Sequence, residues 1–188
     1  YSWRADKPST LIYVKALDKG NPAISTEYRD EVFEIDAPFS GEGKSLVKTT
    51  NRFSGIDWGT ESIAIVYDYW WDTRNRKAYV FNPSSPNSKP KTLYDRNYQD
   101  IYSDPGSFLK TRNTFNKSVL MLHKGSAFLR GAGFSEEGQF PFIDKVNITT
   151  LNKSRVYQSK YTDKVEAIQD YNPATNELIV RIESPTEY

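Results

Sequence analysis

Ser45-Leu46-Val47-Lys48-Thr49, Thr92-Leu93-Tyr94-Asp95-Arg96 and Arg155-Val156-Tyr157-Gln158-Ser159 are three similar short segments. Each closes a series of apolar runs separated by turns. Leu46 and Leu93 lie 47 residues apart, and Leu93 and Val156 lie 63 apart. Repeats of roughly 40–50 residues, each holding several strands, are a signature of β-propeller blades. The sequence therefore predicts an all-β fold of consecutive four-stranded antiparallel blades, incomplete at both ends. A single propeller segment spans 1–188, with units at about 1–50, 51–97 and 115–160 and a partial unit at 161–188.

Working outward, Leu11-Ile12-Tyr13-Val14 and Glu31-Val32-Phe33-Glu34-Ile35 read as strands of the first unit, with Ser2-Trp3-Arg4 as its inner strand. Asp18-Lys19-Gly20-Asn21-Pro22 between them is rich in turn formers. In the second unit Phe53–Gly59 reads as the inner strand. Ile63-Ala64-Ile65-Val66-Tyr67 is apolar on both faces, which predicts burial on both sides. Arg74-Asn75-Arg76-Lys77 reads as a charged hairpin and Ala78–Phe81 as the returning strand. Asp95–Thr114 reads as a long irregular connection with a turn at Asp104-Pro105-Gly106. The third unit is read at Ser118–Leu122, Ala127–Leu129, Phe142–Ile148 and Arg155–Tyr157, with Lys145–Thr149 alternating as a half-exposed strand does. The fourth has Val165–Ile168 and Leu178–Ile182 and stops at Tyr188. Prolines fall at turns rather than inside these runs, and no segment has the pattern of an amphipathic helix.

Composition narrows the function. Hydrophobic residues are 37% of the chain and aromatics 14%, with 13 Tyr, 10 Phe and 4 Trp. That aromatic content fits a folded β-rich domain rather than a disordered one. The 25 basic and 24 acidic residues are well mixed and sum to +1, so no basic stripe points to nucleic acid. No apolar run approaches the roughly 18–20 residues of a membrane span, and no membrane partner is expected. There is no cysteine, hence no disulfide, thiolate metal site or cysteine nucleophile. Tyr1-Ser2-Trp3-Arg4 opens directly in strand-like sequence with no signal peptide, as an excised piece would.

Catalytic and ligand motifs are sparse. No Gly-x-Ser-x-Gly elbow is present, and no Gly-rich phosphate loop. His123 is the single histidine, and a serine triad or a histidine metal site would need it. Placed before Lys124-Gly125, it reads as a strand-end residue at a turn. Glu136-Glu137 beside Gly138 reads as a solvated hairpin tip, and Asp68 with Asp72 is another carboxylate pair. A glycosidase needs two such groups about 5–10 Å apart in a cleft, which chain spacing does not establish. Tyr69-Trp70-Trp71 is read as packing between units, with a sugar-binding platform as the functional alternative. Asn116-Lys117-Ser118, Asn147-Ile148-Thr149 and Asn152-Lys153-Ser154 match glycosylation sequons, and chance explains them in an Asn- and Ser-rich chain. No catalytic, cofactor-binding or metal-ligating residue is assigned, and no cofactor is expected.

Five motifs in register carry a resemblance. They are Ser2-Trp3-Arg4-Ala5-Asp6-Lys7-Pro8, Arg29-Asp30-Glu31-Val32-Phe33, Asp36-Ala37-Pro38-Phe39, Tyr102-Ser103-Asp104-Pro105-Gly106-Ser107 and Arg181-Ile182-Glu183-Ser184-Pro185-Thr186-Glu187. Together they resemble the N-terminal propeller of the glutamyl endopeptidase branch of the prolyl oligopeptidase family of serine peptidases, over nearly the whole chain. The Lys-, Asn-, Ser- and Tyr-rich composition looks Bacteroidetes-like. The resemblance implies a parent protein, periplasmic or secreted, that hydrolyses peptides after glutamate. Its serine, aspartate and histidine would lie on a catalytic α/β-hydrolase domain absent from this chain. The propeller would be non-catalytic and gate the access of peptides. The expected partners are that hydrolase domain, the parent's peptide substrates and, through exposed blade edges, a second copy of the chain. The alternative is an independent β-rich module that binds a ligand, a carbohydrate or a protein.

Overall fold

The computed structural model describes residues 1–184, and Pro185-Thr186-Glu187 of the fifth motif and Tyr188 lie outside the described residues. Among the described residues every regular element is a strand and every paired ladder is antiparallel. The chain forms two compact units. One holds Tyr1–Gln99 and Lys110–Leu120, the other Asp100–Leu109 and the described residues from Met121 onward.

The first unit contains two four-stranded sheets, each running in sequence order. β1 (Ser2–Trp3), β2 (Thr10–Ala16), β3 (Asp30–Asp36) and β4 (Lys44–Thr49) form one. β5 (Arg52–Thr60), β6 (Ile63–Trp70), β7 (Asn75–Phe81) and β8 (Lys91–Asn97) form the other. Two of the repeated edge segments that opened the sequence reading are thus the terminal strands β4 and β8. Alternation sets the faces: in β3 Asp30, Val32 and Glu34 point inward while their neighbours are half-buried. In β6 the run Ala64-Ile65-Val66 is fully buried, as a strand apolar on both faces should be. Ile12, Val32, Leu46, Val47, Trp58, Ala64, Val66 and Phe81 share one core with Val119.

Beyond β8 come β9 (Ser107–Phe108) and the hairpin of β10 (Lys110–Arg112) and β11 (Ser118–Leu120). Asp95–Thr114 is therefore not irregular throughout, since it carries the end of β8, all of β9 and all of β10. Ser118–Leu122 is not one strand of the third unit either. It breaks at Met121, and Ser118–Leu120 pairs with Lys110–Arg112 while Val119 joins the first core. The turn before β7 spans Trp71–Arg74, where Arg74 takes φ +58°. Asn75, Arg76 and Lys77 lie inside the strand, with Arg76 over the ring of Tyr67 at 5.3 Å and Lys77 3.5 Å from Asp95.

In the second unit β12 (Leu122–His123), β13 (Ser126–Gly131), β16 (Phe142–Asn147) and β17 (Lys153–Gln158) pair in that order, and β9 also pairs with β13. The third edge segment is the terminal strand β17. β14 (Phe134–Ser135) and β15 (Gly138–Gln139) form a small hairpin. β16 ends at Asn147, whose side-chain oxygen accepts the N–H groups of Thr149 and Thr150 and closes a turn, so the half-exposed strand is shorter than the sequence predicts. β18 (Val165–Asn172) and β19 (Glu177–Glu183) form a two-stranded sheet. Phe128, Ile143, Ile168 and Tyr171 make the core here, with Leu109, Tyr157, Leu178 and Val180 against it.

Tyr157 donates to Glu166 at 2.7 Å. Burial, and then the Glu166 carboxylate, push its phenol from 10 up to about 12. A raised folded value means stability is complete below about pH 10 and falls as pH rises toward 12. Urea midpoints should drop across that window together with growth of the tyrosinate absorbance band, and Tyr157→Phe should reduce the drop.

Candidate functional site

The first unit carries a groove of about 630 Å³. β4 supplies Ser45 and Lys48, β3 supplies Glu31, β7 supplies Lys77 and Tyr79, and β8 supplies Asp95. Lys77 and Tyr79 stand at alternate positions of β7, and Ser45 and Lys48, three apart on β4, share a side because the β3–β4 register shifts between Val47 and Ser45. The loop Pro86–Pro90 forms another wall.

A hydrogen-bond network ties the lining residues Thr50, Lys77 and Tyr79 to Asp68. Asp68 is fully buried and accepts from the Asn51 backbone N–H at 3.0 Å and from its side-chain amide at 3.1 Å. Tyr79 donates to Asp68 at 3.3 Å and lies 3.0 Å from the Thr50 hydroxyl. Burial first, with Asp68 adding to it, raises the Tyr79 phenol above its ordinary value, so it stays a neutral donor. Lys77 donates to Thr50 at 3.3 Å, and Asn75 donates to Asp95 at 2.6 Å. The Ser45 hydroxyl donates to Glu31 at 2.6 Å, and Lys48 sits 3.9 Å from the same carboxylate.

The groove thus offers two carboxylates, three ammonium groups and two phenols over an apolar floor of Leu46 and Val47. That chemistry suits a polar chain such as a peptide, whose amides and charged ends need partners of both signs. Of the lining hydroxyls, Ser45 donates to Glu31 and Thr50 lies 3.0 Å from the Tyr79 phenol.

A second cavity of about 470 Å³ has Trp3, Ile56, Trp58 and Val119 among its walls, with Lys110 and Asp57 paired at 2.6 Å. Beside it Arg4 lies over the Trp58 ring at 4.5 Å and pairs with Glu34 and, at 2.5 Å, with Asp6. A further network ties β3 to β5. Arg52 bonds Asp18 and Asp30, and Arg29 bonds Asp18 at 2.8 Å while its guanidinium covers Trp70 at 4.0 Å. Burial pushes the Asp18 carboxyl up, but Arg52 and Arg29 outweigh it and leave the group below its ordinary value.

The residues singled out in the sequence do not converge. His123 ends β12, half-buried, before a turn in which Lys124 and Gly125 take φ +47° and +73°. Glu136 and Glu137 are the exposed tip of the β14–β15 hairpin. Asp68 is buried while Asp72 is exposed in the turn after β6. Tyr69-Trp70-Trp71 does not pack as a cluster: Tyr69 is 41% and Trp71 57% exposed, and only Trp70 is covered, by Arg29. Asn116 and Asn152 are exposed at turns, whereas the Asn147 side chain is engaged in its turn. Among the described residues no three His, Asp or Glu side chains gather as a metal site. The sequence pattern does not single out Glu31, Lys48, Lys77, Tyr79 or Asp95: Glu31, Lys48, Tyr79 and Asp95 lie in predicted strand or edge segments and Lys77 in a predicted hairpin.

The chain is similar to two plant proteins. Both are called "Probable glutamyl endopeptidase, chloroplastic". The one from Oryza sativa subsp. japonica is 35% identical over 176 residues, covering 88% of this chain and 19% of the relative. The one from Arabidopsis thaliana is 35% identical over 178 residues, covering 89% and 18%. The chain therefore spans about a fifth of the length of the curated relatives it matches. No family model matches it. Among solved structures, an oligogalacturonate lyase in complex with manganese aligns over 84% of this chain and 35% of its own, with 16% identity and a TM-score of 0.38, a likeness from which nothing is drawn.

Proposed function

We propose that this chain is a non-catalytic β-propeller segment of a serine peptidase of the prolyl oligopeptidase family, in its glutamyl endopeptidase branch. In that reading the parent cleaves peptides after glutamate on an α/β-hydrolase domain, and this segment restricts which peptides reach it. The observation that carries the reading is the 35% identity along almost the whole chain to the two plant relatives. Successive four-stranded antiparallel sheets in sequence order are its structural support, and the mixed-charge groove offers a surface on which a peptide could be held. The Bacteroidetes-like source reading rests on composition alone.

Incubation of the 188-residue chain with a peptide containing an internal glutamate should give no cleavage, and a serine-reactive fluorophosphonate should leave it unlabelled. Turnover that a fluorophosphonate abolishes would remove the non-catalytic assignment. The exposed rings of Tyr69 and Trp71 favour a second reading, a carbohydrate-binding face, which glycan binding lost in Trp71→Ala would support and an absence of glycan binding would end.

A further inference from the structure

β4 closes the order β1-β2-β3-β4, and among the described residues no strand pairs with its far side. This free edge lies inside the chain. Only Thr50 and Asn51 separate β4 from β5, which belongs to the next sheet, so no fifth strand follows β4 in its own sheet. The groove of about 630 Å³ runs along that edge, as its lining shows. Glu31, Ser45 and Lys48 stand on one face of the sheet, where Ser45 bonds Glu31 and Lys48 approaches it. Leu46 and Val47 belong to the core on the other face. Side chains of both faces line one groove only where the sheet ends. Lys77, Tyr79, Thr92 and Asp95 of β7 and β8 form a second wall, and the loop Pro86–Pro90 a third. A walled, unpaired strand edge takes up an extended peptide as an added strand. Main-chain bonds then give the binding, and alternate side chains give the selectivity.

Charge selects the occupant. Lys48 lies 3.9 Å from Glu31 and Lys77 3.5 Å from Asp95, so both carboxylates of the groove are matched. Lys89 is exposed on the loop wall and meets no carboxylate among the described residues. One ammonium group is left over, and its complement is an acidic side chain. The same edge of a second copy would bring Lys44 and Lys48 instead and add like charge to the groove. The six residues of β4 span about 20 Å, enough for a pentapeptide.

We infer that the edge of β4 takes an extended acidic peptide as a fifth strand of its sheet, with a glutamate or aspartate side chain against Lys89. The inference does not rest on the peptidase reading, because it concerns binding and its test involves no cleavage. Calorimetric titration of the 188-residue chain with the end-blocked peptide Val-Glu-Val-Glu-Val should show one-to-one binding. Amide NMR shifts should move at Ser45–Lys48 and at Lys89. Val-Lys-Val-Lys-Val should bind roughly tenfold more weakly. Alternate N–H groups of a strand point to the same side. Of two peptides methylated on alternate sets of nitrogens, one should therefore lose binding and the other keep it. Lys89→Glu should weaken binding of the glutamate peptide about threefold or more, and Lys89→Arg should preserve it. No binding at millimolar peptide, shifts confined to another face, or equal binding of the lysine peptide would each overturn the inference. So would equal behaviour of the two methylated peptides, or an affinity that ignores Lys89→Glu.

Discussion

Arg4→Met is expected to lower the unfolding free energy by roughly 3–5 kcal/mol, the usual cost of stranding buried charges. The Arg4 side chain is 3% exposed, and those of its partners Asp6 and Glu34 are 1% and 7% exposed. Burial alone would pull the guanidinium pKa down, but Asp6 and Glu34 leave it above its ordinary value. Methionine keeps the packing volume over Trp58 and removes the charge, which isolates the effect on the two carboxylates. Adding Asp6→Asn and Glu34→Gln should restore much of the loss. Lys7→Met provides the contrast, since Lys7 meets Asp36 with their side chains 31% and 56% exposed. Such a surface pair contributes about 0–1 kcal/mol. Urea denaturation of the four proteins measures this, and a loss for Arg4→Met no larger than that for Lys7→Met would refute it.

Gly106→Ala should be comparably severe, by roughly 3 kcal/mol or more, because backbone strain and a backbone clash coincide. Gly106 takes φ +82°, a region in which a side chain is strained, and a Cβ there would lie 2.3 Å from the Arg130 carbonyl oxygen and 2.7 Å from the Gly131 Cα. Neither neighbour is a flexible side chain. Relief requires β9 to move off β13, which uncovers Phe108 from its place opposite Leu129. Gly125→Ala isolates the strain alone, since Gly125 has φ +73° with nothing within 4 Å of its would-be Cβ, and it should cost about 1 kcal/mol. Hydrogen exchange should show lost protection at Leu129 and Arg130 in the first variant and not in the second. Equal effects of the two substitutions would count against the close approach.

Strand placement was largely legible from the sequence. Period-two burial, turn chemistry and the repeated edge segments located β2 through β8, β13 and β16 through β19, and the three edge segments are terminal strands of their sheets. The failures share a cause. Ser118–Leu122 is one apolar run to the eye, but its first three residues and its last two pair with different partners, and pairing is non-local. The hairpin at Arg74–Lys77 was misplaced by charge. Strand residues near the solvent carry charge as freely as turns do, and the turn is marked instead by the positive φ of Arg74.

The candidate groove was not legible at all. Glu31, Lys48, Lys77, Tyr79 and Asp95 are spread over four strands, and only register brings them together. Its supporting acid, Asp68, was noted as a member of a carboxylate pair with Asp72. The structure separates the two, because Asp68 faces inward on β6 whereas Asp72 lies in the exposed turn. The Tyr69-Trp70-Trp71 cluster misled because Tyr69 and Trp70 stand on opposite faces of β6 while Trp71 already belongs to the turn, so three adjacent aromatics do not share one environment.

The central claim is that this chain is the access-restricting segment of a larger peptidase. It is tested by exchanging it for the matching 176-residue stretch of the rice relative and comparing hydrolysis of a short glutamate-containing peptide with that of a stably folded protein. The account predicts that the hybrid cleaves the short peptide and spares the folded protein. Cleavage of the folded protein by the hybrid at a rate near that of the peptide would contradict it.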